Sequence, residues 1–296
     1  MERTLQKVRT LFVSDVHLGC KHARTSKFLE FIQGYQPDTL YLVGDFFDAW
    51  KINYGWHWTT DCDHVIDHFV KLVESGTELF YAPGNHDAFL RQPGFQAIIP
   101  SRFPDVRIDN EFIFESLQGH RLLVTHGDLF DFFETKAQWA SKASSFFYDS
   151  CLFWNQWFVR RFRGEDKNPY GICARLKQRV KSAVRFLSRF EGKLVEHAQN
   201  QGCDGVVCGH IHTPCFKRIG DAFYFNTGDW MENCTGLVER HDGRLELVSL
   251  YGETQEISLP ELSADALPSS LDTSETLPGI PALPLGQSYE QVQSIA

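Results

Sequence analysis

The chain has 296 residues, 43% of them apolar, and a formal net charge of −9. That is enough apolar material for one large core. The acidic balance argues against general nucleic-acid binding, and no run approaches the ~18 uninterrupted apolar residues needed to span a bilayer. The charge is uneven, because residues 136–200 hold 13 Lys and Arg against 5 Asp and Glu, a basic segment in an acidic body. The eight cysteines, Cys20, Cys62, Cys151, Cys173, Cys203, Cys208, Cys215 and Cys234, include no Cys-x-x-Cys pair, and Met1 leads quickly into a strand pattern rather than a signal peptide. Reduced thiols acting as small core residues in a cytoplasmic protein are expected.

In chain order, Thr10-Leu11-Phe12-Val13 reads as a buried strand that runs into Ser14-Asp15-Val16-His17-Leu18-Gly19. A helix is expected around 25–31, then a strand, Thr39-Leu40-Tyr41-Leu42-Val43, delivering Gly44-Asp45-Phe46-Phe47-Asp48. Helical spacing returns at Val65, Phe69, Leu72 and Val73, and a third strand, Leu79-Phe80-Tyr81-Ala82, leads through Pro83 to Gly84-Asn85-His86-Asp87. From Arg107 the pattern turns to short strands, at 111–115 and at 121–124, the second entering Thr125-His126-Gly127-Asp128. Another strand at 205–208 enters Gly209-His210-Ile211-His212, and strands at 216–219, 222–225, 236–240 and 244–250 follow as antiparallel units. The remainder, 251–296, has five prolines after residue 259 and no Lys or Arg, so it reads as a disordered acidic tail. A single domain over about 1–250 is therefore expected, with ligands gathered at the carboxyl ends of its strands.

Five strand ends share one kind of chemistry. They offer Asp15 and His17, Asp45, Asn85 with His86 and Asp87, His126, and His210 with His212. Carboxylates, an amide and imidazoles without a thiolate suit Mn²⁺, Fe²⁺, Zn²⁺ or Mg²⁺ rather than a Cys-rich structural site. There are more ligands than one ion needs. Alternate residues of an extended strand end would point Asp15 and His17 the same way, and His210 and His212 likewise. The glycines at 44, 84, 127 and 209 are expected to let the backbone turn sharply beside a crowded centre.

The ordered set Asp-x-His, Gly-Asp, Gly-Asn-His, His and Gly-His-x-His, across residues 15–212, resembles the calcineurin-like metallophosphoesterase superfamily. The resemblance implies a four-layer α/β/β/α sandwich that holds two divalent ions, with Mn²⁺ preferred. It assigns Asp15, His17 and His212 to one ion, Asn85, His126 and His210 to the second, and Asp45 to both. It makes His86 the non-ligand histidine that faces the substrate phosphate, with Asp87 expected to orient it. The stretch Gly44-Asp45-Phe46-Phe47-Asp48-Ala49-Trp50 is similar to that of the UDP-2,3-diacylglucosamine diphosphatases of lipid A biosynthesis. Those enzymes carry Arg where this chain has His86. The resemblance implies a lipid-linked nucleotide-sugar substrate and peripheral attachment to the inner face of the cell membrane. Soluble phosphodiesters, nucleotides or phosphoproteins are the alternative substrates, and a non-catalytic scaffold is the alternative of another class.

Residues 133–200 read as a helical insertion. Phe146, Phe147, Trp154, Trp157 and Phe158 lie on one half of a first helix, closed by Arg160, Arg161 and Arg163. A second helix sets Leu176, Val180, Leu187, Phe190 and Leu194 against Lys177, Lys181, Arg185, Arg189 and Lys193. Two expectations stand side by side: a hairpin that packs its aromatics onto the body, or in addition a surface for acyl chains and anionic headgroups. On the second, Trp154, Trp157, Lys177 and Lys181 are candidate substrate-binding residues. Among the other polar groups, Asp48, Asp128 and 226–230 are expected to position ligands from outside.

Overall fold

Apolar residues on both faces of the leading strands demand cover from both sides, and the computed structural model supplies it. It describes residues 5–52, 55–92, 94, 106–131 and 189–260. These belong to the first of two units, Met1–Glu261, into which the chain divides.

Seven strands form one sheet, β1 (Gln6–Val13), β2 (Tyr35–Leu42), β3 (Glu78–Tyr81), β4 (Val106–Ile108), β10 (Thr235–Glu239), β11 (Leu245–Ser249) and β12 (Thr254–Ile257). Their order is β12-β11-β10-β1-β2-β3-β4. β1 to β4 are mutually parallel, while β10 runs antiparallel to β1. A second sheet has the order β5-β6-β7-β9-β8, from β5 (Glu111–Glu115), β6 (Arg121–Thr125), β7 (Gly205–Cys208), β8 (Cys215–Ile219) and β9 (Ala222–Asn226). Its central strands β6, β7 and β9 are parallel.

Side-chain alternation explains the layers. On β1, Leu11 and Val13 face helices α1 (Thr25–Ile32) and α2 (Thr60–Glu74), whereas Phe12 faces the other sheet. β2 repeats this, with Leu40 and Leu42 outward and Tyr41 inward. On the second sheet Leu122, Val124, Val207, Phe223 and Phe225 join the inter-sheet core. Leu123, Val206 and Tyr224 instead meet helix α3, residues 189–200. The result is the expected four layers, α/β/β/α. A strand buried on both faces reads as an unbroken apolar run, which is why the sequence shows continuous runs there and not an alternation. Phe12, Tyr41 and Phe80 stack in a row across β1, β2 and β3, each pair 4.8 Å apart.

Of the expected insertion, α3 shows the amphipathic split, with Phe190 and Leu194 buried and Arg189 and Lys193 exposed. One acid departs from that split: Glu191 is buried and pairs with Lys217 at 2.6 Å. The rest of the expected insertion, 133–188, including Trp154, Trp157, Lys177 and Lys181, lies outside the described residues, as does the part of the expected 251–296 tail from 261 on. Among the described residues no helix is long and apolar enough to cross a membrane. All six described cysteines are free thiols, five of them buried.

The domain does not end near residue 250. β12 pairs with β11 from Thr254 to Ile257, Leu259 is buried in the inter-sheet core, and the Pro260 carbonyl accepts a 2.6 Å hydrogen bond from His120 Nε2. The acidic composition of 251–260 hid an edge strand that has one apolar anchor, Ile257, and a second just beyond it. Leu259→Ala should therefore cost about 2–3 kcal/mol, as for other large-to-small core changes. Urea denaturation of the variant against wild type checks it.

Candidate active site

The strands that carry the motifs stop early: β1 at Val13, β2 at Leu42, β3 at Tyr81, β6 at Thr125 and β7 at Cys208. The polar residues sit on the turns that follow. Backbone bonds zip the first two turns together, with Asp15 N on Gly44 O at 3.0 Å, His17 N on Asp45 O at 2.9 Å and Leu18 N on Phe46 O at 2.8 Å.

The extended Asp-x-His geometry expected from the sequence is wrong in detail. Asp15 (φ 53°), His17 (φ 52°), Asp45 (φ 51°), His210 (φ 69°) and His212 (φ 52°) are all left-handed. Each such residue costs on the order of 1 kcal/mol or more and persists only where its surroundings over-determine it. Asp15 and His17 share a side because both backbones turn, not because a pleat alternates. Two of the glycines also serve a different purpose from the one expected. Gly84 and Gly209 do not have positive φ; a Cβ on Gly84 would lie 2.2 Å from Asp45 Oδ1, and one on Gly209 2.4 Å from Asp15 Oδ2. They are small so that carboxylates fit against the backbone.

Three donor groups converge, each with its ligand atoms within 4.8 Å: Asp15, His17 and His212; His17, Asp45 and His86; and Asp15, Asp45 and His126. Asp15 and Asp45 are 0% and 2% exposed. Burial alone would raise both carboxyls, yet His212 beside Asp15 and His126 beside Asp45 hold them below the usual range. Asp15 Oδ1 lies 3.2 Å from His212 Nε2, and its Oδ2 accepts the His210 backbone N–H at 3.1 Å. Asp45 Oδ1 accepts the His86 backbone N–H at 2.8 Å, and its Oδ2 lies 3.3 Å from His126 Nε2.

Neighbours orient the rings. His126 donates from Nδ1 to the Val43 carbonyl at 2.9 Å, which aims Nε2 at Asp45. His212 Nδ1 lies 3.3 Å from Asp229 Oδ2. Asp229 Oδ1 in turn accepts the backbone N–H groups of Met231, Glu232 and Asn233. The segment after β9 thus holds the His212 ring, and it also donates Trp230 N to the Asp15 carbonyl at 3.0 Å. Burial pushes His17 down to about 4, so its ring is neutral. Its buried Nε2 has no hydrogen-bond partner. An orphaned neutral imidazole nitrogen beside two buried carboxylates is what a divalent ion would satisfy, and the oxygen and nitrogen donor set fits one.

Asn85 stands half-buried on the β3 turn with its Oδ1 turned inward. His210 is near the cluster but not in the three donor groups. Its Nε2 lies 3.2 Å from Asp131 Oδ2, and its ring is 5.2 Å from His126.

The expected partnership of His86 with Asp87 is replaced by another. His86 Nδ1 bonds Asp48 Oδ1 at 2.8 Å. Asp87 faces away and staples the turns, accepting Gly84 N at 2.6 Å, Phe46 N at 2.7 Å and the Tyr81 hydroxyl. Three residues after Gly84, its carboxylate reaches back to that glycine's own N–H, a short-range turn bond that wins over a contact with the adjacent side chain. Burial, with the Asp45 charge next to it, pushes Asp87 up to about 6. For His86, burial opposes protonation, but the Asp48 hydrogen bond and the Asp45 charge outweigh it and raise its pKa.

Sequence reasoning missed Arg91. Its guanidinium grips both Asp128 oxygens, at 2.8 and 2.7 Å, and donates to the Pro83 carbonyl at 2.7 Å. It therefore brackets the β3 turn of one sheet to the β6 turn of the other. No motif marks it, because the pairing spans 37 residues and two layers.

The calcineurin-like phosphoesterase model matches residues 8–214. This chain belongs to that family. It is a hydrolase of phosphoester bonds and, as a metallophosphoesterase, works with divalent metal ions. It is 33% identical over 274 residues to a UDP-2,3-diacylglucosamine hydrolase of Xanthomonas campestris pv. campestris, covering 79% of this chain and 96% of the relative. A UDP-2,3-diacylglucosamine hydrolase of Xanthomonas axonopodis pv. citri is 29% identical over 254 residues, with the same coverage, 79% and 96%. Among solved structures, a phosphoesterase from E. coli is similar at 16% identity, over 84% of this chain and 97% of its own, with a TM-score of 0.40.

Arg91→Ala leaves the Asp128 carboxylate, 7% exposed, without its cation. Chemical denaturation should show a loss of about 3 kcal/mol, the scale for breaking a well-buried pair. Adding Asp128→Asn to that variant should recover part of it.

Proposed function

We propose that this chain hydrolyses a pyrophosphate or phosphodiester bond in a lipid-linked nucleotide-sugar, as a UDP-2,3-diacylglucosamine diphosphatase at the inner membrane surface. The observation that carries the chemistry is Asp45, whose carboxylate belongs to two donor groups at once, beside a histidine with its own carboxylate partner. The names of the relatives and their near-complete coverage support the substrate.

Asp15, His17 and His212 would hold one ion, and Asn85, His126 and His210 the other, with Asp45 between them. Bound ions, Mn²⁺ first and Fe²⁺, Zn²⁺ or Mg²⁺ as alternatives, supply an acidified water and a clamp on phosphoryl oxygens. The protein's own part is acid–base and electrostatic. Asp48 Oδ1 accepts the hydrogen bond of His86 Nδ1–H, so Nε2 is the atom turned toward substrate. Burial opposes a proton on this ring, and the Asp48 hydrogen bond and the Asp45 charge favour one. From Nε2 it stabilises charge that develops on the phosphoryl group or protonates the leaving oxygen. Asp87 acts on the turns, not on the proton.

A second reading, soluble phosphodiesters, is favoured by His86 itself, since the diphosphatases carry Arg there. Purified protein with Mn²⁺ is assayed on UDP-2,3-diacylglucosamine beside soluble diesters, with and without detergent. Release of UMP from the lipid substrate with a strong preference over soluble diesters is expected. Detergent-independent turnover of soluble diesters alone would replace the first reading with the second.

Asp45→Ala should abolish hydrolysis and remove one metal equivalent or more, read by elemental analysis beside the activity assay. Full activity in that variant refutes the assignment.

Ion uptake should also release protons. His212 is pushed up to about 10, burial being outweighed by Asp15, and His126 is likewise raised by Asp45. At pH 7 the His212 ring carries an extra proton that a metal ligand cannot keep, whereas His17 at about 4 carries none. Calorimetric titration of metal-depleted protein in buffers of different ionisation enthalpy should report roughly one proton or more released. Net release should shrink as pH rises toward 10 and the His212 ring deprotonates unaided.

A further inference from the structure

Trp50 sits at the lip of the site on a short 3₁₀ turn, Ala49–Lys51, next to Asp48. It is 36% exposed, high for a tryptophan. Its ring lies on His86, centroids 3.9 Å apart and planes at 24°. The same imidazole bonds Asp48 through Nδ1 at 2.8 Å and meets the His17 ring at 4.6 Å and 77°.

The hydrogen bond to Asp48 fixes one point of the His86 ring but leaves its plane free to tilt about the Nδ1–Oδ1 axis. A flat partner against one face removes that tilt. With the plane fixed, the far atom, Nε2, stays within 3.9 Å of Asp45 Oδ2, on the side where the phosphoryl group would bind. Asp48 and Trp50 lie two residues apart on the stretch that follows Asp45, so one segment supplies the central carboxylate, the in-plane partner and the face partner.

We infer that Trp50 is a positioning residue, whose indole holds the plane of the His86 imidazole so that Nε2 addresses the reacting phosphoryl group. This rests on the role given to His86 under Proposed function. A misaligned general acid loses rate at saturating substrate and leaves ground-state binding largely alone, so the signature is in kcat and not in KM.

The experiment uses the full-length Mn²⁺-loaded chain with Trp50→Ala and Trp50→Phe, assayed on UDP-2,3-diacylglucosamine and on bis(p-nitrophenyl) phosphate. NMR of ¹³C-histidine-labelled protein loaded with diamagnetic Mg²⁺, assigned with His86→Gln, follows the same ring without reference to turnover. Trp50→Ala should lower kcat by about 10- to 100-fold with KM within about threefold. Its His86 ring signal should lose the upfield shift imposed by the indole and become more mobile. Trp50→Phe, which keeps a flat face, should retain kcat within about threefold and keep an ordered ring. An unchanged kcat in Trp50→Ala overturns the inference, and so does a rise in KM alone, which makes Trp50 a substrate contact. A His86 signal as ordered in Trp50→Ala as in wild type overturns it as well. If the wild type turns over neither substrate, the functional reading fails, while ring order still decides whether Trp50 holds His86. Since Trp50 is not part of the core, Trp50→Ala should fold; if it does not, Trp50→Phe carries the test, and an equally mobile His86 ring or a kcat collapse there sinks the idea.

Discussion

The site depends on keeping two carboxylates, Asp15 and Asp45, ionised almost entirely out of water. Removing a carboxylate from solvent costs several kcal/mol even after relaxation, and the cost is tolerable only when cations and N–H groups surround it. Here each carboxylate splits its oxygens between a backbone amide and an imidazole. Asp15 takes the His210 N–H and faces His212, while Asp45 takes the His86 N–H and faces His126. Both carboxylates follow strands of the seven-stranded sheet, whereas both rings and the His210 amide follow strands of the other, so the pair can be buried and still ionised only once both sheets have met. Assembly of the sandwich and creation of the site are one event.

That requirement explains why the local backbone is forced. Among the described residues six non-glycine positions have positive φ, and five carry side chains of the candidate site. The strain is held by stitching around the turns. Asp87 ties the β2 and β3 turns, Arg91 ties β3 to β6, and the segment after β9 ties the Asp15 turn to the His210–His212 turn. In that last segment Ser14 Oγ meets Thr227 Oγ1 at 2.6 Å, and Asn226 donates to the Gly209 carbonyl at 2.6 Å. None of these groups belongs to the donor clusters. They hold the clusters in geometries the chain would otherwise leave.

The layered fold was legible wherever apolar runs were long enough to be buried on both faces. It failed at polar edges. β4, only Val106–Ile108, passed unnoticed, and β1 and β2 each begin about four residues earlier than their apolar runs, at Gln6 and Tyr35. Pro37 lies inside β2, which a strand reading would reject. It is tolerated because β3 begins only opposite Thr39, so Pro37 is paired as a strand residue with β1 alone. β12 escaped because its composition resembles a tail. In each case pairing to a stronger neighbour decided the structure, and local pattern did not.

By itself the sequence determined the inventory and its order: which strand ends carry carboxylates, imidazoles and the amide, and that no thiolate is among them. Donor type is a property of the residue, so it survives translation into structure unchanged. Only the tertiary structure decided who partners whom. Asp48, and not the adjacent Asp87, holds His86; Trp50 covers its face; Arg91 reaches across 37 residues to Asp128. These pairings depend on the direction in which a left-handed turn throws its side chains and on the distance between two sheets, and neither is written in residue spacing.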